Sequence, residues 1–149
     1  MKRKLFIAST FVALLLVASC TPKVKATPFT EPAKASDDIA TSIKLFTAAE
    51  SNLEKQKLIT PQEGLAIING LSALNSANIQ FNSDLSAAKA SGNKSALKPS
   101  LDALKKAAVD LNTNGVLGIK SPEAKQAFQL TVQSLNLALG VLEGFVTSQ

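Results

Sequence analysis

Histidine, tryptophan and tyrosine are missing from this 149-residue chain, and cysteine and methionine occur once each, as Cys20 and Met1. Arginine also occurs once, at Arg3. Without histidine the commonest general base is gone, and with it Ser–His nucleophile activation and the usual zinc and di-iron ligands of helical proteins. Haem ligation by His or Met has no residue to supply it. Carboxylates remain, but no Asp-x-Asp-x-Asp-Gly calcium loop is present, and Asp37 and Asp38 are the only adjacent acidic pair. That pair reads as negative charge at a helix N-terminus. No glycine-rich phosphate loop is found either. The composition therefore points away from an enzyme and predicts no metal and no cofactor.

One cysteine permits no internal disulfide, whichever compartment the chain enters. What stands before that cysteine is more informative. Lys2, Arg3 and Lys4 place positive charge at the start, residues 5–19 carry no charge, and Val17, Ala18 and Ser19 lead into Cys20. This order resembles the signal peptide and lipobox of bacterial lipoproteins, over the first 20 residues only. The resemblance implies cleavage between Ser19 and Cys20 and lipidation of Cys20 by a diacylglyceryl group on sulfur, with fatty chains such as palmitate. Two or three such chains hold a protein persistently on a bilayer, since each buried methylene adds ~0.8 kcal/mol. By the same resemblance Thr21 favours the outer membrane, facing the periplasm, in a two-membrane bacterium; with one membrane the protein stays on its outer face. A plain secretion signal is the simpler alternative, with Cys20 incidental. An uncleaved anchor is the third, although fifteen residues give only ~22 Å of helix against a ~30 Å hydrocarbon core.

Removing residues 1–19 leaves 13 basic against 11 acidic residues, net +2. From Ser36 onward ten lysines balance ten acidic residues. The basic character of the whole chain thus belongs to its front end. With no arginine and no basic face after that end, nucleic-acid binding has no support.

The mature chain divides in two. Residues 20–35, with Pro22, Pro28 and Pro32 and three lysines, read as a lipidated cysteine and a flexible linker reaching at most ~50 Å. Residues 36–149 read as four amphipathic helices. Ser36 before the acidic pair marks the first, with Ile39, Ile43, Phe46 and Leu53 on one stripe. Glu50 falls on that stripe too, which predicts partial exposure there. Thr60, Pro61, Gln62 and Glu63 form a capping box ahead of the second stripe, Ile67, Leu71, Leu74, Asn78, Phe81, Leu85 and Ala88. The third carries Leu97, Leu101, Leu104, Ala108 and Leu111, and Asn112, Thr113, Asn114 and Gly115 predict its end. Ser121, Pro122 and Glu123 open the fourth, whose stripe is Phe128, Val132, Leu135, Leu139 and Leu142. Short connections make this an all-α, up-down-up-down four-helix bundle. A shift of 61 residues lays Thr60 and Pro61 on Ser121 and Pro122, as a duplicated helical hairpin would.

Two helices stand out by composition. Residues 65–83 and 126–142 carry no charge, and Asn69, Ser72, Asn75, Ser76, Gln80, Gln129, Gln133 and Asn136 supply neutral polar groups instead. Lysine and glutamate are depleted at protein contacts because they are costly to desolvate. These stretches are therefore candidate surfaces for a protein partner or a second copy, and an ordinary neutral surface is the plainer alternative. Asn78 is placed to fix helix register or to line a polar pocket, or, with a slight rotation of the helix, to lie exposed to solvent. Gly140 and Gly144, one turn apart, are candidates for a close helix contact, with fraying of the last helical turns the plainer account of Gly144. The expectation is a membrane-anchored, non-enzymatic interaction or structural module of the cell envelope; the alternative is a carrier or sensor of an apolar ligand held between the helices.

Overall fold

The computed structural model describes residues 28–148. They form an all-α bundle of four helices: α1 (Thr30–Lys55), α2 (Pro61–Ser91), α3 (Lys98–Asp110) and α4 (Pro122–Thr147). No strand occurs among the described residues. Each helix lies beside its neighbours in sequence, α4 closes the ring against α1, and the diagonal pairs α1/α3 and α2/α4 do not meet. Neighbours are antiparallel: Phe29 meets Phe145 at one end of the α1–α4 seam, and Phe46 stacks on Phe128 farther along it, with ring centroids 5.3 Å apart. The α1–α4 seam is the broadest and the α3–α4 seam the thinnest, with the short α3 packed mainly on α2.

Every apolar position on the expected stripes is buried except Val132, which is half-buried. Phe46, Phe81 and Phe128 fill the centre. Stripes spaced by three and four residues make the helices, and burying those stripes holds them, since no isolated helix of this composition would be stable alone.

Helix starts and stops follow local chemistry. The capping box before α2 is complete: the Thr60 hydroxyl accepts from the Glu63 N–H at 3.2 Å, and the Glu63 carboxylate accepts from the Thr60 N–H at 2.7 Å. Ser121 caps α4 by accepting from the Ala124 N–H. α1 ends in a Schellman turn, with Leu58 N–H donating to Leu53 C=O and Lys57 N–H to Glu54 C=O, both 2.9 Å. The left-handed position there is held by Lys57 at φ 57°, where glycine is the usual occupant. Gly92, at φ 73°, fills the same role after α2.

Four local expectations need correction. α1 starts at Thr30, so residues 30–35 are helix and not linker. Pro32 sits in the first turn, where a missing N–H costs nothing, and Phe29 tucks its ring edge against Phe145 at 5.2 Å. Ser36 is consequently an interior residue, and Asp37 and Asp38 lie on an exposed mid-helix face, away from the N-terminal dipole. Glu50 is buried, only 4% exposed. Finally, α3 does not stop at Asn112. It follows a short 3-10 turn (Lys94–Leu97) and continues beyond Asp110 into a π-helical turn, Leu111–Val116. Gly70 packs closely against that turn: a Cβ there would stand 3.1 Å from Leu111 Cα and 2.8 Å from Leu111 Cδ1, so any larger residue would push Leu111 back.

Candidate functional site

The residues expected to carry the membrane anchor, Val17, Ala18, Ser19 and Cys20, and the signal segment 1–19 lie outside the described residues. The early start of α1 nevertheless bears on that expectation. Residues 21–27 are all that separates Cys20 from Pro28, and seven residues span at most ~25 Å whatever their conformation. That is half the reach of the expected linker. The first described residues lie where the start of α1 packs on the end of α4, beside Phe29, Phe145 and the Lys94 ammonium 4.7 Å above the Phe145 ring.

Two polar sites lie in the α1–α2 seam. Toward the start of α1, the Ser36 hydroxyl donates to Asn78 Oδ1 at 2.7 Å, and Asn78 Nδ2 donates back to the Ser36 carbonyl at 3.1 Å. Both side chains are buried, so Asn78 is a register clamp and not part of a pocket. At the opposite end of the seam, Glu50 points at the α2 backbone, its Oε1 2.6 Å from where a Cβ on Gly64 would sit. That oxygen has no hydrogen-bond partner. Burial, and then the neighbouring Glu54 carboxylate, raise the Glu50 pKa above 4.5.

The end of the bundle that holds Glu50 also has a shallow, open cleft of about 240 Å³, lined in part by Glu63, Asn114, Gly115, Gly118 and Lys120. Glu63 is already engaged there. Its carboxylate takes the Thr60 N–H and, at 2.9 Å, the Lys120 N–H, and those backbone donors lower its pKa. It staples the loop before α4 to the start of α2. Val116 and Ile119 turn into the core and close this end, while Leu117 is exposed. Among the described residues no three His, Cys, Asp or Glu side chains gather closely enough to hold a metal ion.

The uncharged stretches present real surface. All eight neutral polar residues named for them are exposed. Large apolar side chains stand among these: Leu65, Ile68 and Ile79 on α2, and Leu130, Leu137 and Val141 on α4. Leu137 is 74% exposed and Leu130 69%. Exposed leucines one by one are ordinary, but leucines aligned on one charge-free helix face are not. Because α2 and α4 occupy diagonal corners, the two faces look to opposite sides of the bundle. α4 is also the one described helix long and apolar enough, by length and composition, to cross a membrane, and most of its apolar stretch is unburied. A core helix that is apolar on two sides meets the same criterion, and Phe128, Leu135, Leu139 and Leu142 commit one side of α4 to the core. Gly140 and Gly144 make no close contact within the bundle; a Cβ at either would meet no atom within 4 Å.

Compared with known proteins, the chain matches no family model, no curated protein and no solved structure.

Proposed function

We propose that this is a lipid-anchored protein of the bacterial cell envelope that acts by binding other proteins and performs no chemistry of its own. The observation that carries the reading is the pair of charge-free, leucine-bearing helix faces on α2 and α4, set on a chain whose first 20 residues resemble a lipoprotein signal. A bundle interior occupied by its own side chains, with Phe46 stacked on Phe128, supports surface recognition over a ligand held between the helices. The short stretch between Cys20 and Pro28 fits a module that works close to the bilayer.

Two measurements test the reading. Labelled fatty acid is incorporated into the wild-type chain and not into Cys20→Ala; equal labelling of both ends the anchor. In-cell cross-linking then recovers protein neighbours through α2 or α4. Recovery of a stoichiometric lipid from the purified bundle, with no protein neighbour, would turn the assignment to a carrier.

A further inference from the structure

The two ends of the bundle differ in charge. Lys55, Lys57, Lys120 and Lys125 share one end with Glu50, Glu54, Glu63 and Glu123, so the signs balance there. The connection from α2 to α3 forms the other end, and its signs do not mix. Between Asp84 and Asp102 the chain carries Lys89, Lys94 and Lys98 and no acid. This connection also projects as a tip. Ser36 faces Asn78 and Glu50 faces Gly64, two pairings whose common register sets Phe29 level with Leu85. α2 continues to Ser91, about 9 Å beyond that level. Glu31 and Asp102, in the first turns of α1 and α3, stand back from the tip. Lys89 and Lys98 are exposed, and Lys94 is half-buried over the Phe145 ring. No carboxylate among the described residues lies within ion-pair distance of any of the three. Ser91, Gly92, Asn93, Ser95 and Ala96 complete the tip, all small and exposed, so nothing bulky holds the ammonium groups off a flat surface.

We propose that this tip docks on anionic phospholipid headgroups of the membrane that carries the chain, which stands the bundle on its tethered end. The proposal rests on the lipid-anchored reading above and names the surface the bundle meets. Phe29, Phe145 and Lys94 lie together, so the start of α1 and the tip share one end. Residues 21–27 span at most ~25 Å, whereas α2, with 31 residues, is about 46 Å long. The tip therefore stays within reach of the bilayer, and the balanced end reaches it only if the bundle topples. Each lysine near an anionic surface raises the docked population about fivefold. Three are too few to recruit a free protein, but the anchor makes docking intramolecular, at a high effective concentration. Lys23 and Lys25, between Cys20 and Pro28, add charge of the same sign. A protein partner is the weaker occupant, because protein contacts are depleted in lysine and the tip offers no large exposed apolar side chain. Docking at the tip leaves the outward faces of α2 and α4 clear of the bilayer.

The test reads which end meets the membrane. The chain is purified from cells that process it, with an environment-sensitive fluorophore on Ala96→Cys at the tip or on Gln62→Cys at the opposite end. It is reconstituted on vesicles of phosphatidylcholine alone or of phosphatidylcholine mixed with phosphatidylglycerol. The Ala96 probe shifts to shorter wavelength on the anionic vesicles only, the Gln62 probe on neither, and added salt reverses the shift. The triple variant Lys89→Gln, Lys94→Gln, Lys98→Gln loses the shift with its helical circular dichroism unchanged. The double variant Lys89→Gln, Lys98→Gln, which keeps Lys94 on Phe145, lowers the docked population about 25-fold, fivefold for each lysine removed. An Ala96 probe that is silent on anionic vesicles, that shifts equally on both kinds, or that still shifts fully in the triple variant overturns the docking. Equal shifts of the Ala96 and Gln62 probes establish a bundle lying on its side and overturn it as well. The anchor is read separately: a chain that does not float with phosphatidylcholine vesicles carries no acyl group. Low-salt flotation with phosphatidylglycerol vesicles then still decides the tip, which is overturned if the wild-type and triple-variant chains behave alike.

Discussion

The seam between α1 and α2 buries a polar group at each end, and the two ends behave in opposite ways. Toward the start of α1, Ser36 and Asn78 satisfy each other with two hydrogen bonds across the helices. Toward the other end, Glu50 presents a buried carboxylate oxygen to Gly64 with nothing to bond. A satisfied buried pair specifies one alignment of the helices, since sliding by a residue would strand both partners. An unsatisfied carboxylate costs stability at neutral pH and gives no alignment in return. The apolar stripes around them are equivalent, so hydrogen bonding alone separates a register device from a liability.

Breaking the clamp has the largest expected effect. Asn78→Ala removes packing volume and leaves the buried Ser36 hydroxyl without its acceptor, costing about 2–4 kcal/mol in urea denaturation. The double variant Ser36→Ala, Asn78→Ala costs less than the two single losses together. Strict additivity would mean that the two side chains are not coupled.

The next test acts on the other end. Gly64→Ala drives a methyl to within 2.6 Å of Glu50 Oε1. The side chain must turn away or the helices must part, a loss of about 1–2 kcal/mol. Shortening the acid with Glu50→Ala in the same chain removes most of that penalty. If Gly64→Ala costs as much on the Glu50→Ala background as in the wild-type chain, the contact is not what glycine serves.

The smallest effect sharpens the contrast by pH. Because the folded-state pKa of Glu50 lies above 4.5, its contribution is most favourable when the acid is protonated, and it is lost as pH rises through the folded value. Glu63 runs the other way. Its folded-state pKa is lowered by the Thr60 and Lys120 N–H groups, so its contribution is present above 4.5 and lost as pH falls through the lowered value. Stability therefore rises on mild acidification from neutrality and falls again in stronger acid. Glu50→Gln gains about 1 kcal/mol at neutral pH and abolishes the rise; a rise that survives in this variant belongs to another group.

Much of this architecture is legible in the residues themselves. Spacings of three and four pick out the buried face of every helix, and the Thr60 and Ser121 caps mark two starts within a residue. The start of α1 is hidden because prolines at 22, 28 and 32 read as linker, and because Ser36 before two aspartates imitates a cap. Only the partner on α2 reveals that Ser36 is clamped by Asn78 from 42 positions away. Similarly, Asn112, Thr113, Asn114 and Gly115 are composed like a stop signal, yet the helix continues through them as a π turn whose Leu111 packs closely on Gly70, a contact that local sequence cannot show. Glu50 defeats periodicity for a general reason: a charge on an apolar stripe is normally at its edge, and local pattern cannot show what covers it. As for the candidate surface, missing charge identifies α2 and α4, but the outward alignment of Leu130, Leu137 and Val141 needs the orientation of α4 in the bundle.

The diagonal placement of α2 and α4 has a consequence of its own. Anything that covers the outward face of one of these helices leaves that of the other untouched on the far side. A change made on the outward side of α2 is therefore not relayed to the outward side of α4 by direct contact, and the two surfaces can be altered one at a time.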